Sequence, residues 1–532
     1  MNRRNFLRAG TAAALLGRWG YASAETTEEN AVLTISESAA GWAVPLDFTG
    51  LSYELAQLTE PEFFSTANRD LVAHFRLLSR RGVLRLGGNT SEFCWFQDDP
   101  STTAPELHVP PGNPDANWMP HQLFAISPKA IDNLGGFLEA TSWRLIYGVN
   151  FGNSTPERAA VEAAYVAARL WKYLEFFQIG NEPDFYKDAN NGTRPPGWDF
   201  SDYGVEWMRF AEAIRAKVPD ARFGGPDVGA SSDWIARFGE QVAPKLEKGL
   251  VALTGHYYAE GPPNDPKVTI ARLLGGDARI PEQMKEIEAV AEAHSLVYRM
   301  TEGNSCYRGG KPGMSNAFAS ALWVADYMLL LASLGCAGVN LHGGDSRFLT
   351  AGLGGHTPGL EAATQPQAMP SGFYTPIASE KGGTVHAMPI FYGMMLANAF
   401  AGSTMVHSDF QRNANATAYA AVTRDGYRVA IFNQDTIRTI ELSIRGFRRV
   451  NKATVWRLHG SALDATEGVT LSGAAIGARA VWSPKIEPIV VKDGVAVLRV
   501  PAGSGVVVFL EEGNMTLPSR LFHPFAGIPG AL

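Results

Sequence analysis

Cysteine is nearly absent: Cys94, Cys306 and Cys336 are the three thiols in 532 residues. They are too few for a disulfide framework, and no CxxC pair or Cys/His cluster has zinc spacing. Cys306 has no His beside it and reads as a buried bystander. Positive charge is not in excess either. Lys and Arg number 46 against 53 Asp and Glu, a net charge of −7. That balance argues against nucleic acid or an anionic membrane surface as partner. It leaves an acidic small substrate possible if local donors hold it. Apolar runs of 18 residues without charge are missing, so no spanning helix is expected. Gly352-Leu353-Gly354-Gly355 lacks the Lys of a phosphate loop, and His256 and His342 sit in no HxH or HExxH pattern. No metal and no organic cofactor is therefore expected.

What is present begins at the N-terminus. Asn2-Arg3-Arg4-Asn5-Phe6-Leu7-Arg8 precedes a short run of small and apolar residues and then Ala22-Ser23-Ala24. This pattern predicts a twin-arginine export signal over residues 1–24, maturation near Glu25, and a folded bacterial protein delivered to the periplasm or beyond.

Next comes a regular alternation. Short apolar runs, all but one ending in Gly, Asn, Asp or Glu, lie at residues 48–54, 83–89, 144–150, 176–182, 222–227, 253–258, 296–302 and 338–344. Helical patterns lie between them, for example at 156–173, 202–218, 281–294 and 315–334. Eight strands alternating with helices predict a (β/α)8 TIM barrel, an α/β fold, over residues 46–395. From about residue 396 the period falls to two, at 427–432, 439–444, 453–456, 494–500 and 505–510. This predicts a C-terminal antiparallel β-sandwich domain and tail over 396–532, joined by an N-terminal strand within 25–45. A Gly- and Pro-rich stretch at 345–389 follows the eighth strand, where long barrel loops shape pockets.

Two glutamates close two of these strands. Glu182 ends the fourth run, after Gly180-Asn181, and Glu302 ends the seventh, before Gly303-Asn304. Active sites of such barrels lie at the C-terminal strand ends. Two carboxyls brought together there match the acid/base and nucleophile pair that cleaves glycosidic bonds. Arg85 interrupts an otherwise apolar second strand and is a candidate cation beside the nucleophile, while Asn181 is placed to bind a sugar hydroxyl. Taken singly, a strand-end Glu is more often a solvated cap, Arg85 equally often an ion-pair member, and Tyr257, Tyr258, Tyr307 and Tyr374 ordinary core aromatics.

The motifs around these residues narrow the choice. Gly50-Leu51-Ser52-Tyr53-Glu54, Leu84-Arg85-Leu86-Gly87-Gly88-Asn89, Gln178-Ile179-Gly180-Asn181-Glu182-Pro183 and Thr301-Glu302-Gly303-Asn304-Ser305-Cys306-Tyr307 resemble glycoside hydrolase family 79. His342-Gly343-Gly344 and Tyr374-Thr375-Pro376 extend the likeness, which covers residues 45–395. The resemblance implies a retaining β-glucuronidase, with Glu182 as acid/base and Glu302 as nucleophile. It implies Glu54 as a sugar-hydroxyl ligand, Tyr307 as a neighbour of the nucleophile, and Gly372-Phe373-Tyr374 as the element that holds the uronate carboxylate. Tyr257 and His342 complete the candidate substrate-binding set. The expected partner is a glucuronic-acid-containing glycan or glycoside, cleaved from its end. The rivals are endo-cleavage of a glucuronate polysaccharide, a β-glucosidase or β-xylosidase of the same clan, and a non-catalytic carbohydrate-binding protein.

Overall fold

The structure is a computed structural model that describes residues 27–108, 120, 122–187, 193–246, 249–353, 372–379 and 385–512. The expected export signal, the C-terminal tail beyond 512 and much of the 345–389 stretch lie outside the described residues.

Eight parallel strands close into a barrel: β1 (Thr49–Glu54), β2 (Val83–Gly87), β3 (Arg144–Val149), β4 (Leu174–Ile179), β5 (Phe223–Val228), β6 (Leu250–Glu260), β7 (Val297–Cys306) and β8 (Gly338–Gly343). Each pairs with its neighbours in sequence, and β8 returns to β1 with Val339 opposite Thr49. The strands are buried on both faces because helices cover them outside, which is why they read as unbroken apolar runs. Some of the helices start where the sequence offers caps. Thr155 precedes Pro156–Leu170, and Asp199 with Asp202 forms a capping box on Phe200–Lys217.

The helix Phe318–Ser333 is apolar almost all round because it is buried on all sides. It lies between the barrel and an eleven-stranded sheet. Its one carboxylate, Asp326, accepts hydrogen bonds from Thr417, Tyr419 and Gln434 of the sheet, so the polar group inside this junction is satisfied. The sheet has its own core, including Leu33, Ile35, Val429, Ile431, Leu442 and Val508.

The sheet differs from expectation in one respect. It is mostly antiparallel, but the N-terminal strand Thr27–Ala43 enters its middle, antiparallel to Thr404–Gln411 and parallel to Arg438–Arg445. A strand arriving from the other side of the barrel in sequence is not bound to the hairpin direction of its neighbours. Among the described residues no helix is long and apolar enough to cross a membrane.

Candidate active site

After β4 the chain turns sharply through Gly180 (φ 91°) and Glu182 (φ 49°). A left-handed Glu is uncommon and persists only where its surroundings hold it. Here its N–H donates to the Asp227 carbonyl at 2.9 Å. Glu302 arrives differently. It was expected at the end of its strand, but β7 runs on to Cys306. The pairing of β7 with β6 slips between Met300 and Glu302. This bulge lets two consecutive side chains face the barrel interior: Thr301 Oγ1 donates to Asp227 at 2.5 Å, and Glu302 meets Arg85. One polar atom each from Glu182, His256 and Glu302 lie within 4.8 Å of one another. That separation suits a nucleophile and an acid on one glycosidic carbon, for which about 5–5.5 Å is usual.

The two carboxyls sit in opposite electrical surroundings. Glu302 is desolvated, which alone would raise its pKa, but the His342 and His256 imidazoles, the Arg85 guanidinium and the Tyr258 hydroxyl outweigh burial and hold it well below the carboxylate range. Arg85 Nη1 lies 2.5 Å from Glu302 Oε2, and Tyr258 Oη donates to Oε1 at 2.8 Å. Glu182 is raised above the ordinary value, first by burial and then by the charges of Glu302 and Asp184, against a hydrogen bond from His256. His256 would lose its proton through burial alone, but Asp227 and Glu302 push it up to about 10. Its Nδ1 is 3.0 Å from Glu182 and its Nε2 3.1 Å from Asp227. The surroundings therefore push the proton affinities of the two carboxyls apart, Glu182 upward and Glu302 downward, as an acid and a nucleophile require.

The three grouped donors are also of a size to bridge a metal. Both oxygens of Glu302 already accept hydrogen bonds, and a protonated His256 would repel a second cation. The set fits proton transfer and nucleophilic attack better than metal binding.

Over the pair opens a cavity of about 460 Å³, within the range of small-ligand sites. Glu54, Tyr258, Tyr307, Arg308, His342 and Tyr374 are on its wall. Glu54 accepts from the Thr90 N–H at 2.8 Å and hydroxyl at 2.6 Å, and its other oxygen is 3.4 Å from His342 Nε2. A Cβ at Gly88 (φ 69°) would come within 2.5 Å of this carboxylate, so the glycine makes room for it.

Two curated relatives share sequence with the chain. The β-glucuronidase of Aspergillus niger is 26% identical over 323 residues, 56% of each chain. That of Neurospora crassa is 26% identical over 366 residues, 62% of this chain and 63% of the relative. The chain thus matches less than two thirds of the length of these relatives. No family model matches. Among solved structures, the 4-O-α-L-rhamnosyl-β-D-glucuronidase of Fusarium oxysporum, solved with Rha-GlcA, aligns with a TM-score of 0.69 at 16% identity, over 90% of this chain and all of that one. A family 51 arabinofuranosidase from Xanthomonas axonopodis aligns at 0.61 and 14% identity, over 91% of this chain and all of the other. These likenesses establish the barrel-and-sheet fold.

Of the residues singled out from sequence, Glu54, Glu182, Glu302, Tyr307, His342 and Tyr374 reach the cavity. Four do not. Arg85 is 1% exposed, and its guanidinium is divided among Gln178, Ser52, Glu302, Asn181 and Asp227, so it serves Glu302 from behind. Asn181 is likewise engaged, by Arg85 and Asn89, rather than open to a sugar. Tyr257 points outward and stacks on Tyr327 at 5.0 Å; strand alternation gives the inward position to Tyr258. The Gly372 N–H donates to Gly309 O at 3.1 Å, which removes it as a carboxylate donor.

The sequence reading passed over Asp227, which binds Arg85, Gln178 and Thr301. It also left His256 and Tyr258 unassigned and missed Arg308. Asp227 and His256 both stood at predicted strand ends, the one signal available. Arg308 (φ 59°) starts three consecutive left-handed residues with Gly309 and Gly310, a turn that sequence does not announce.

Proposed function

We propose that the chain is a glycoside hydrolase, and more narrowly a retaining, exo-acting β-glucuronidase of the family 79 type. The observation that carries this reading is the pair Glu182 and Glu302, close together and with protonation pushed in opposite directions. Glu302 attacks the anomeric carbon while Glu182 gives its proton to the departing oxygen, and a glycosyl ester forms on Glu302. Ester formation removes the negative charge that helps hold the proton on Glu182. Its affinity for a proton falls, and it can then take one from water, which releases the sugar with its configuration retained.

The names of the two curated relatives and of the Fusarium oxysporum structure support glucuronate as the sugar. The cavity adds a physical reason. Arg308 is the one guanidinium or ammonium among its described wall residues, and Tyr307 and Tyr374 supply hydroxyls beside it. These groups answer how a chain of net charge −7 holds an anionic sugar. The basic leader supports an exported enzyme acting outside the cytoplasm.

A panel of aryl β-glycosides tests the reading. Turnover is expected for the glucuronide, with the β-anomer as first product by NMR. A 2-fluoro-glucuronyl substrate with a good leaving group should label the peptide holding Glu302. Turnover of glucoside or xyloside with none of glucuronide would overturn the substrate, and an α-anomer as first product would overturn the mechanism.

A further inference from the structure

At the opposite end of the barrel from the carboxyl pair, a second cleft of about 630 Å³ opens between barrel and sheet. Arg76, Arg80 and Arg81 lie on one side, at the end of the helix Arg69–Leu78 and in the turn that leads into β2. Trp456 and Trp482 of the sheet domain lie on the other. Among the described residues its lining includes no Asp or Glu, although the chain as a whole is acidic. The three arginines come from one six-residue stretch, Arg76-Leu77-Leu78-Ser79-Arg80-Arg81, and the fold sets them against two indoles from the distant sheet domain. Arg76 also complements the C-terminal end of its helix, so helix electrostatics account for one of the three but not for the turn.

The backbone that carries the arginines and the indoles opposite are held in place before any ligand arrives. The buried Trp143 indole donates to Ser79 O at 3.0 Å, and Ser79 Oγ bonds the Arg81 carbonyl while accepting from the Arg81 N–H at 3.3 Å. Across the cleft, Trp482 Nε1 donates to Leu471 O at 3.1 Å, and its ring meets Trp456 edge to face at 5.2 Å. Pre-set walls lower the ordering cost of binding.

We propose that this cleft is a non-catalytic site for a uronate-bearing oligosaccharide. Guanidinia pair with carboxylates through two parallel hydrogen bonds, and an indole face takes the apolar face of a pyranose ring. Three cations on an acidic molecule are too few for a phosphate polymer, whose binding scales with the number of charges neutralised. The choice of uronate over other anionic sugars rests on the proposed function. The site would keep the enzyme on a polymeric chain while the barrel trims its end.

The test uses the full chain as E302Q, titrated by calorimetry with an unsulfated tetrasaccharide of alternating glucuronate and N-acetylglucosamine. Two binding events are expected, and the combined change R76Q/R80Q/R81Q should weaken one of them about tenfold or more. W482A should weaken the same event, and melting curves check that each variant is folded. The three arginine changes in the otherwise wild-type chain should leave turnover of an aryl glucuronide unchanged. An isotherm indifferent to the arginine changes, or equal binding of a neutral cellotetraose, would overturn the site. Absence of aryl glucuronide turnover by the wild-type chain would instead overturn the proposed function.

Discussion

Arg85 donates to Glu302 at 2.5 Å and to Asp227 at 2.6 Å, so one buried guanidinium joins the carboxylate of β7 to that of β5. With side-chain exposures of 1% for Arg85 and Asp227 and 7% for Glu302, water cannot replace it. R85A leaves two desolvated anions facing each other. The expected loss is about 3–5 kcal/mol of stability, the cost of breaking a buried pair from one side. A thermal or urea melt measures it. R85K, which keeps the charge but not the five-way fork, should fall between. A melting temperature for R85A equal to that of the wild type would show that the fork does not hold the site together.

The pH profile should follow from the opposed carboxyls. The proposed mechanism requires Glu302 ionised and Glu182 protonated, so activity should rise above the lowered pKa of Glu302, about 2, and fall above the raised pKa of Glu182. His256 lowers both. H256N removes that influence, so both limbs of kcat/KM against pH should move upward together. Stability carries the same signs. The raised His256 contributes stability that is complete below about 6.5 and lost as pH rises through about 10; the lowered Glu302 contributes stability present above 4.5 and lost as pH falls toward 2. Opposite movement of the two limbs in H256N would show that the imidazole does not serve both carboxyls.

These relationships were only partly legible in the sequence. The barrel was legible because strands covered on both faces must be apolar and must end where the chain turns. Seven of the eight such runs ended at Gly, Asn, Asp or Glu. Which side of a strand a residue takes was not, because that depends on pairing. Tyr257 and Tyr258 are adjacent and chemically alike, and only the register of β6 assigns the inward place to Tyr258. The bulge before Glu302 and the left-handed turn at Arg308 are likewise made by neighbouring strands and loops, not by local composition.

Arg308 offers a measurement confined to specificity. Arg308 is on the cavity wall, with its guanidinium 5.6 Å from the centre of the Tyr307 ring. R308Q should lower kcat/KM for an aryl glucuronide by roughly ten- to a hundredfold, the worth of a charge-assisted hydrogen bond. The corresponding glucoside should be cleaved as well as before, or better. R308K should recover part of the difference. A parallel loss on both substrates would assign Arg308 to shaping the turn instead of reading the carboxylate.

Removing the acid should separate the two halves of the reaction. E182A leaves Glu302, Arg85 and Tyr258 in place, because the contacts of Glu302 come from β2 and β6. A glucuronide whose leaving group needs no proton, such as dinitrophenol, should still form the ester on Glu302, which then waits for a base that is gone. Turnover should drop by roughly 10²–10⁴-fold, with a rapid first burst of dinitrophenol. Azide, which attacks the ester without a base, should restore turnover and yield the β-glucuronyl azide. Recovery of the α-azide would place the nucleophile elsewhere. Absence of both burst and rescue would mean that Glu182 is needed to form the ester even with this leaving group, and so acts as more than a proton donor.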